Sequence, residues 1–190
     1  MLRQIKTALI LLGIFTVITG IIYPLFVTGI AQAFFHNKAN GSLITDNGTN
    51  VGSELIGQPF SDPQYFWGRL SATAPSPYNA SASSGSNYGP SNPALLESVQ
   101  ARIDALKAVD PDNNQPVPVD LVTFSASGLD PDVSVAAANY QVPRVARYRG
   151  LSEEQISALV SKFTEDRQLG ILGEPRVNVL KLNLALDAVK

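Results

Sequence analysis

Paired carboxylates are the first residues to weigh, because two acids held at different pKa values can divide general acid and base work. Four such pairs occur: Asp110/Asp112, Asp130/Asp132, Glu153/Glu154 and Glu165/Asp166. Each sits where a turn, a helix N-cap or a first helical turn uses a carboxylate structurally. Asp110, Asp112, Asn113 and Asn114 offer the oxygens of a calcium loop, but no Gly and Glu follow at loop spacing. Cysteine is absent and His36 is the single histidine, so a thiolate or histidine-rich metal site and a cysteine nucleophile are excluded. No phosphate-cradling G-x-x-x-x-G-K-[ST] loop, no G-x-G-x-x-G and no G-x-S-x-G elbow is present. Arg144, Arg147 and Arg149 form the one basic cluster. It reads as a solvated helix face or as a docking contact for an acidic partner or lipid head group. The expectation is a chain with no catalytic residue, no metal ligand and no cofactor of its own.

The first element that must position these residues is an apolar run. From Thr7 to Phe35 there is no Asp, Glu, Lys or Arg. A helix of that length reaches roughly 43 Å, and a bilayer core needs about 20 apolar residues. A signal peptide is the rival reading, with Ala31-Gln32-Ala33 as its cleavage site, but an h-region is only about 7–15 residues long. The run is therefore expected to be a retained single span. Leu9 lies in its apolar surface, Gly13, Gly20 and Gly29 permit close helix contact, and Pro24 is expected to bend it. Arg3 and Lys6 precede the span, so the N-terminus is expected inside. The expected organisation is a cytoplasmic 1–6, a transmembrane 7–35 and an extracytoplasmic domain over 36–190. Beyond the span, 12 basic residues face 16 acidic ones, a net charge of −4, and no basic surplus points to nucleic acid.

The outer domain is expected to be α+β, a small sheet packed by three or four helices. Residues 36–52 read as a turn-rich connection. Ser53–Phe60, Gln64–Arg69, Val117–Phe124 and the alternating VNVLKLNLAL (Val177–Leu186) read as strands. Asn92-Pro93 opens a helix carrying Leu95, Leu96, Val99, Ile103 and Leu106. Asp130-Pro131 opens another, with Pro143 breaking it. Ser152-Glu-Glu-Gln155 is a capping box. Between Leu70 and Pro93 lies a Ser/Ala/Pro/Gly-rich stretch bearing Tyr78 and Tyr88. It has the composition of a linker, yet it lies inside a compact domain, where a long loop is usually functional or disordered.

Four strings in order, YNASASSGSNYGPSNP (Tyr78–Pro93), VPVDLVTFSASGLDP (Val117–Pro131), YQVPRVARYRGLS (Tyr140–Ser152) and GILGEPRVNVLKLNLALD (Gly170–Asp187), resemble the C subunit of Kdp-type potassium-transporting ATPases. The resemblance covers nearly the whole chain, the single span included. Two motifs depart from it. The usual R-P-S-A is Arg69-Leu70-Ser71-Ala72, and the usual Asp-Pro-His is Asp130-Pro131-Asp132.

The resemblance implies a non-catalytic subunit of a bacterial inner-membrane complex that couples ATP hydrolysis to potassium uptake. Its implied partners are a channel-like potassium-translocating subunit, a P-type ATPase subunit, a small single-span subunit and membrane lipid. ATP and potassium are then handled by the complex, and the stretch bearing Tyr78 and Tyr88 reads equally as a docking or pore-mouth loop on the channel-like subunit and as a long loop packed on its own core. The implied role is support of assembly and a raised ATP affinity of the ATPase subunit, as a catalytic chaperone. ATP is cytoplasmic, whereas the charge bias puts residues 36–190 outside, in the periplasm. Direct contact would need an outer residue such as Gln141, whose amide can pair with an adenine edge. The alternative function is an anchored periplasmic binding or chaperone module unrelated to transport.

Overall fold

The computed structural model describes residues 1–46 and 48–189; Asn47 and Lys190 lie outside the described residues. The chain forms two compact units, Met1–Leu43 and Ile44–Lys190.

The first unit is dominated by a helix over Leu2–Phe34, long and apolar enough to cross a membrane. It comprises α1 (Leu2–Val17), a π turn (Ile18–Ile22) and α2 (Tyr23–Phe34), and a single turn, α3 (His36–Ala39), follows. Thr7 and Thr19 donate back to the carbonyls of Arg3 and Phe15, at 3.0 and 2.7 Å, so their hydroxyls are satisfied within the helix. Pro24, where a bend is expected, is directly preceded by the π turn and Tyr23. Proline has no N–H for the carbonyl four residues back, and its ring crowds that carbonyl. Widening the preceding turn relieves the conflict, and Tyr23 N–H accordingly bonds Ile18 O, five residues away.

The second unit is α+β, as its sequence pattern predicts. Its strands form a two-stranded sheet, β1 (Leu43–Asp46) with β2 (Thr49–Ser53), and a three-stranded sheet in the order β3–β5–β4. In the latter, β5 (Arg176–Asn178) is central and antiparallel to β3 (Asp132–Ser134) and β4 (Thr164–Glu165), with Val133 opposite Val177. Around it pack α4 (Pro93–Val109), the single turn α5 (Val119–Val122), α6 (Val135–Arg149), α7 (Glu153–Lys162) and α8 (Val179–Asp187). The core gathers Phe66, Leu121, Val133, Ala137, Val145, Ile156, Val160, Val177, Leu182 and Leu186, all at 2% exposure or less.

Two helix starts stand as expected. The Asn92 side chain accepts from Ala94 N–H with Pro93 in the first turn, and Ser152 and Gln155 form a reciprocal capping box. Along α4, however, Leu96 lies off the buried face at 69% exposure, while Leu106 is buried.

Several expected elements differ. VNVLKLNLAL is not a strand beyond Asn178. The Asn178 side chain accepts from Lys181 N–H and starts α8, whose buried Val179, Leu182, Asn183 and Leu186 follow helical spacing. Val117–Phe124 contains Pro118, which has no ladder donor, and Val119–Val122 closes into a helical turn instead. Ser53–Phe60 stops being strand at Ser53, whose hydroxyl accepts from Leu55 N–H and turns the chain. Gln64–Arg69 belongs to neither sheet, because side-chain amides take the place of neighbouring strands along it. Helix α6 starts at Val135 and not at Asp130-Pro131, because Asp132–Ser134 is drawn into the sheet as β3. Pro143 does not break that helix; the carbonyl it leaves without a helical donor belongs to Asn139, on the exposed side. The connection 36–52 includes α3 and the β1–β2 pair.

Candidate functional site

The second unit holds a buried polar site with Gln141 at its centre. Its side chain is 1% exposed. Oε1 accepts from Trp67 N–H at 2.8 Å and from Arg144 Nη2 at 2.6 Å. Nε2 donates to Trp67 O and Ala137 O, both at 3.1 Å. Two donors and two acceptor sites are the full capacity of an amide, so none remains for a ligand.

Asn183 on α8 repeats the device one residue earlier: Oδ1 accepts from Phe66 N–H and Nδ2 donates to Phe66 O, each at 2.9 Å. These two amides act as strand neighbours for the Phe66-Trp67 backbone. That is why an extended, apolar segment needs no sheet. Buried backbone groups left unpaired would each cost about 1–3 kcal/mol.

Two guanidinium groups complete the hub. Arg102 from α4 and Arg144 from α6 lie 4.8 and 4.9 Å from the Trp67 ring centroid. Arg102 also donates to Leu121 O and Gly68 O, and Arg144 to Pro63 O. Burial pulls the Arg144 pKa down to about 10, with Asp110 acting in the other direction. The group therefore stays protonated at neutral pH. Burial lowers Arg102 as well.

The other two arginines of the cluster are also ties between segments. Arg147 bonds Val109 O at 3.0 Å and Asp110 at 2.9 Å, joining α6 to the end of α4. Arg149 bonds Gln64 O and Asp187 and lies over the Tyr65 ring, 4.7 Å from its centroid. Neither is fully enclosed; the Arg147 side chain is 46% exposed.

Tyr78 adopts a left-handed backbone, φ 57°, and turns its ring inward. Its hydroxyl donates to Arg69 O at 2.6 Å, and burial raises its pKa. A Cβ added at Gly57 would lie 2.3 Å from that ring and 2.7 Å from Asp130 O, so only glycine fits there. Tyr88 is 39% exposed and meets Phe124 edge-on, at 6.1 Å. The first half of the Ser-rich stretch is laid against residues 124–130: Ser71 bonds Gly128 O, and Ser84 N–H bonds Ser127 O.

The remaining candidates lie in the first unit. Leu9, Gly13, Gly20, Pro24 and Gly29 are exposed along the helix, and a Cβ at any of the three glycines meets nothing within 4 Å. His36 bonds Gln32 Oε1 through Nδ1 at 3.0 Å, and Asn40 Nδ2 donates to the same oxygen at 3.1 Å. This polar knot closes the apolar helix.

The carboxylate pairs are occupied as turns and ion-pair partners. Asp130 meets Arg69 at 3.0 Å, Asp132 meets Arg176 at 3.0 Å, and Glu165 meets Arg176 at 2.9 Å. Among the described residues no group of three or more His, Cys, Asp or Glu could hold a metal ion.

Trp67, Arg102 and Asn183 were not legible as site residues from spacing. Asn183 is a polar residue on what reads as the outward face of a strand. Only the helical register turns it inward.

Fold and site together define a class: a small α+β domain, rigidified by a buried amide and arginine hub, in a chain that opens with one long apolar helix. Residues 5–188 match the family model described as KdpC, K+-transporting ATPase, c chain. A potassium-transporting ATPase KdpC subunit of Herpetosiphon aurantiacus is 66% identical over 185 residues, covering 97% of this chain and 96% of the relative. The KdpC subunit of Methylococcus capsulatus is 61% identical and that of Sorangium cellulosum 60%, each over 190 residues and the full length of both chains. The chain belongs to the KdpC family of potassium-transporting ATPase subunits.

Proposed function

We propose that the chain is a non-catalytic accessory subunit of an ATP-driven potassium uptake pump, held in the bacterial inner membrane by its one apolar helix. Arg3 and Lys6 before that helix favour a cytoplasmic N-terminus and a periplasmic domain. The partners are a channel-like subunit, a P-type ATPase subunit and a small single-span subunit. The chain supports their assembly and raises the ATP affinity of the ATPase subunit indirectly, through contacts that differ between two states of the complex.

The observation that carries the indirect reading is Gln141. The one outer residue offered for base contact has all four hydrogen-bonding positions filled inside the domain. Family membership over nearly the whole chain carries the rest. The test is removal of the gene and growth in micromolar potassium, with gentle solubilisation and capture of the tagged chain alongside. Loss of growth, and recovery of an ATPase and a channel-like subunit with the tagged chain, are expected. Growth without the gene, or capture of the chain alone, overturns the reading.

A further inference from the structure

The outer unit has an apolar knob beside a cleft. Leu169, Ile171 and Leu172 are 88, 75 and 54% exposed at the tip of a short hairpin. Gln168 and Leu172 exchange both backbone hydrogen bonds at 2.9 Å, and Arg167 pairs with Glu174 at 2.5 Å across its base. The hairpin is therefore braced. Its tip turns through Leu169 and Gly170, with φ 54° and 74°, and Ile171 N–H bonds Gln168 O. Two successive positive φ angles are the pattern of a type I′ turn, where Asn-Gly is favoured. A leucine there is strained, because in the left-handed region its Cβ crowds the following carbonyl. It is also almost fully in solvent, so nothing within the domain offsets the strain. Strain and apolar exposure at one residue point to a contact outside the chain.

The knob adjoins a cleft of about 650 Å³ whose rim includes Gly173, Glu174 and Pro175 and whose apolar wall includes Pro118, Val119 and Ala136. Its charged lining is Asp120, Asp130, Asp132 and Glu174 against Arg69 and Arg176, and with Arg167, which pairs with Glu174 from outside the cleft, four acids face three arginines. The acids are in excess. An anionic lipid surface is therefore repelled, and so is a second copy presenting the same acidic face.

We infer that Leu169 and Ile171 insert into an apolar pocket, with a neutral or basic rim, on another subunit of the potassium-transporting ATPase. This rests on the chain being a subunit of that pump. The hairpin holds the two side chains outward, and the adjoining cleft receives the rim of the partner pocket. Docking of preformed apolar anchors into a pocket is how a small contact area dominates an interface.

Leu169→Asn with Ile171→Ser tests it in the whole tagged chain, expressed with its operon partners. Asparagine suits a positive φ, so the variant is expected to melt no lower than the wild type. Recovery of the other ATPase subunits with the tagged chain is expected to fall at least tenfold. A photoreactive phenylalanine analogue at position 171 is expected to cross-link to one of those subunits. Undiminished recovery, or cross-linking to lipid or to a second copy of this chain, overturns the inference. Wild-type chain recovered without any ATPase subunit overturns the underlying assignment and this inference with it. Loss confined to the variant cannot arise that way.

Discussion

Gln141 sits where a ligand contact and a structural role make opposite predictions. Gln141→Ala removes partners from Trp67 N–H and O and from Arg144. Buried groups orphaned in this way cost roughly 1–3 kcal/mol each, so urea unfolding should show a loss of at least about 2 kcal/mol. In pump that still assembles, the half-saturating ATP concentration should stay within twofold. A tenfold rise with assembly intact would correspond to about 1.4 kcal/mol and would show direct coupling to nucleotide. Asp132 gives a pH-dependent test. Burial raises its pKa above the usual carboxylate value, with Arg176 pulling the other way. Folding therefore disfavours its charged form. The stability it contributes is present below the ordinary carboxylate pKa and lost as pH rises through the folded value. Asp132→Asn should melt higher than the wild type at pH 7, and the difference should vanish toward pH 3. A difference that grows on acidification would mean that the Arg176 ion pair outweighs desolvation. At this scale the sequence was legible for caps and poor for the hub. Asn92 and Ser152 act locally, through neighbours two and three residues on, whereas Gln141 and Asn183 act across separations of 74 and 117 residues.

At the scale of elements, the apolar helix and the capped helices α4 and α7 were legible because their signals are local and periodic. The string VNVLKLNLAL was not, since alternation and helical spacing both put Leu182 and Leu186 on one face and part at Val179 and Asn183, too few positions to decide over so short a run. What decides is the Asn178 cap. Gln64–Arg69 differs for another reason: its composition is that of a strand, but side-chain amides replace the neighbouring strands. The apolar helix supports a further prediction. A Cβ at Gly13 or Gly20 would stand in open space, so leucine at either position is sterically free within this chain. If the span packs on partner helices through small residues, Gly20→Leu should leave membrane insertion unchanged and reduce recovery of the pump subunits severalfold. Equal recovery would show that the helix is an anchor alone.

For the whole molecule, the charge bias about the apolar helix predicts the side on which the α+β domain stands. A reporter enzyme that is active only outside the cytoplasm, fused at the C-terminus, should be active. A well-expressed but silent fusion would reverse the orientation and reopen direct contact with cytoplasmic ATP. The Arg102 and Arg144 groups over Trp67 also give the molecule an optical property. The chain has a single tryptophan, and it is 5% exposed with its indole N–H bonded to Asp62 O at 3.0 Å. All indole fluorescence of this protein therefore originates at the junction of α4, α6, α8 and the Phe66-Trp67 segment. The emission is a built-in gauge of that junction. A shift in its colour when pump subunits or nucleotide are added would register strain reaching the domain interior, without any label.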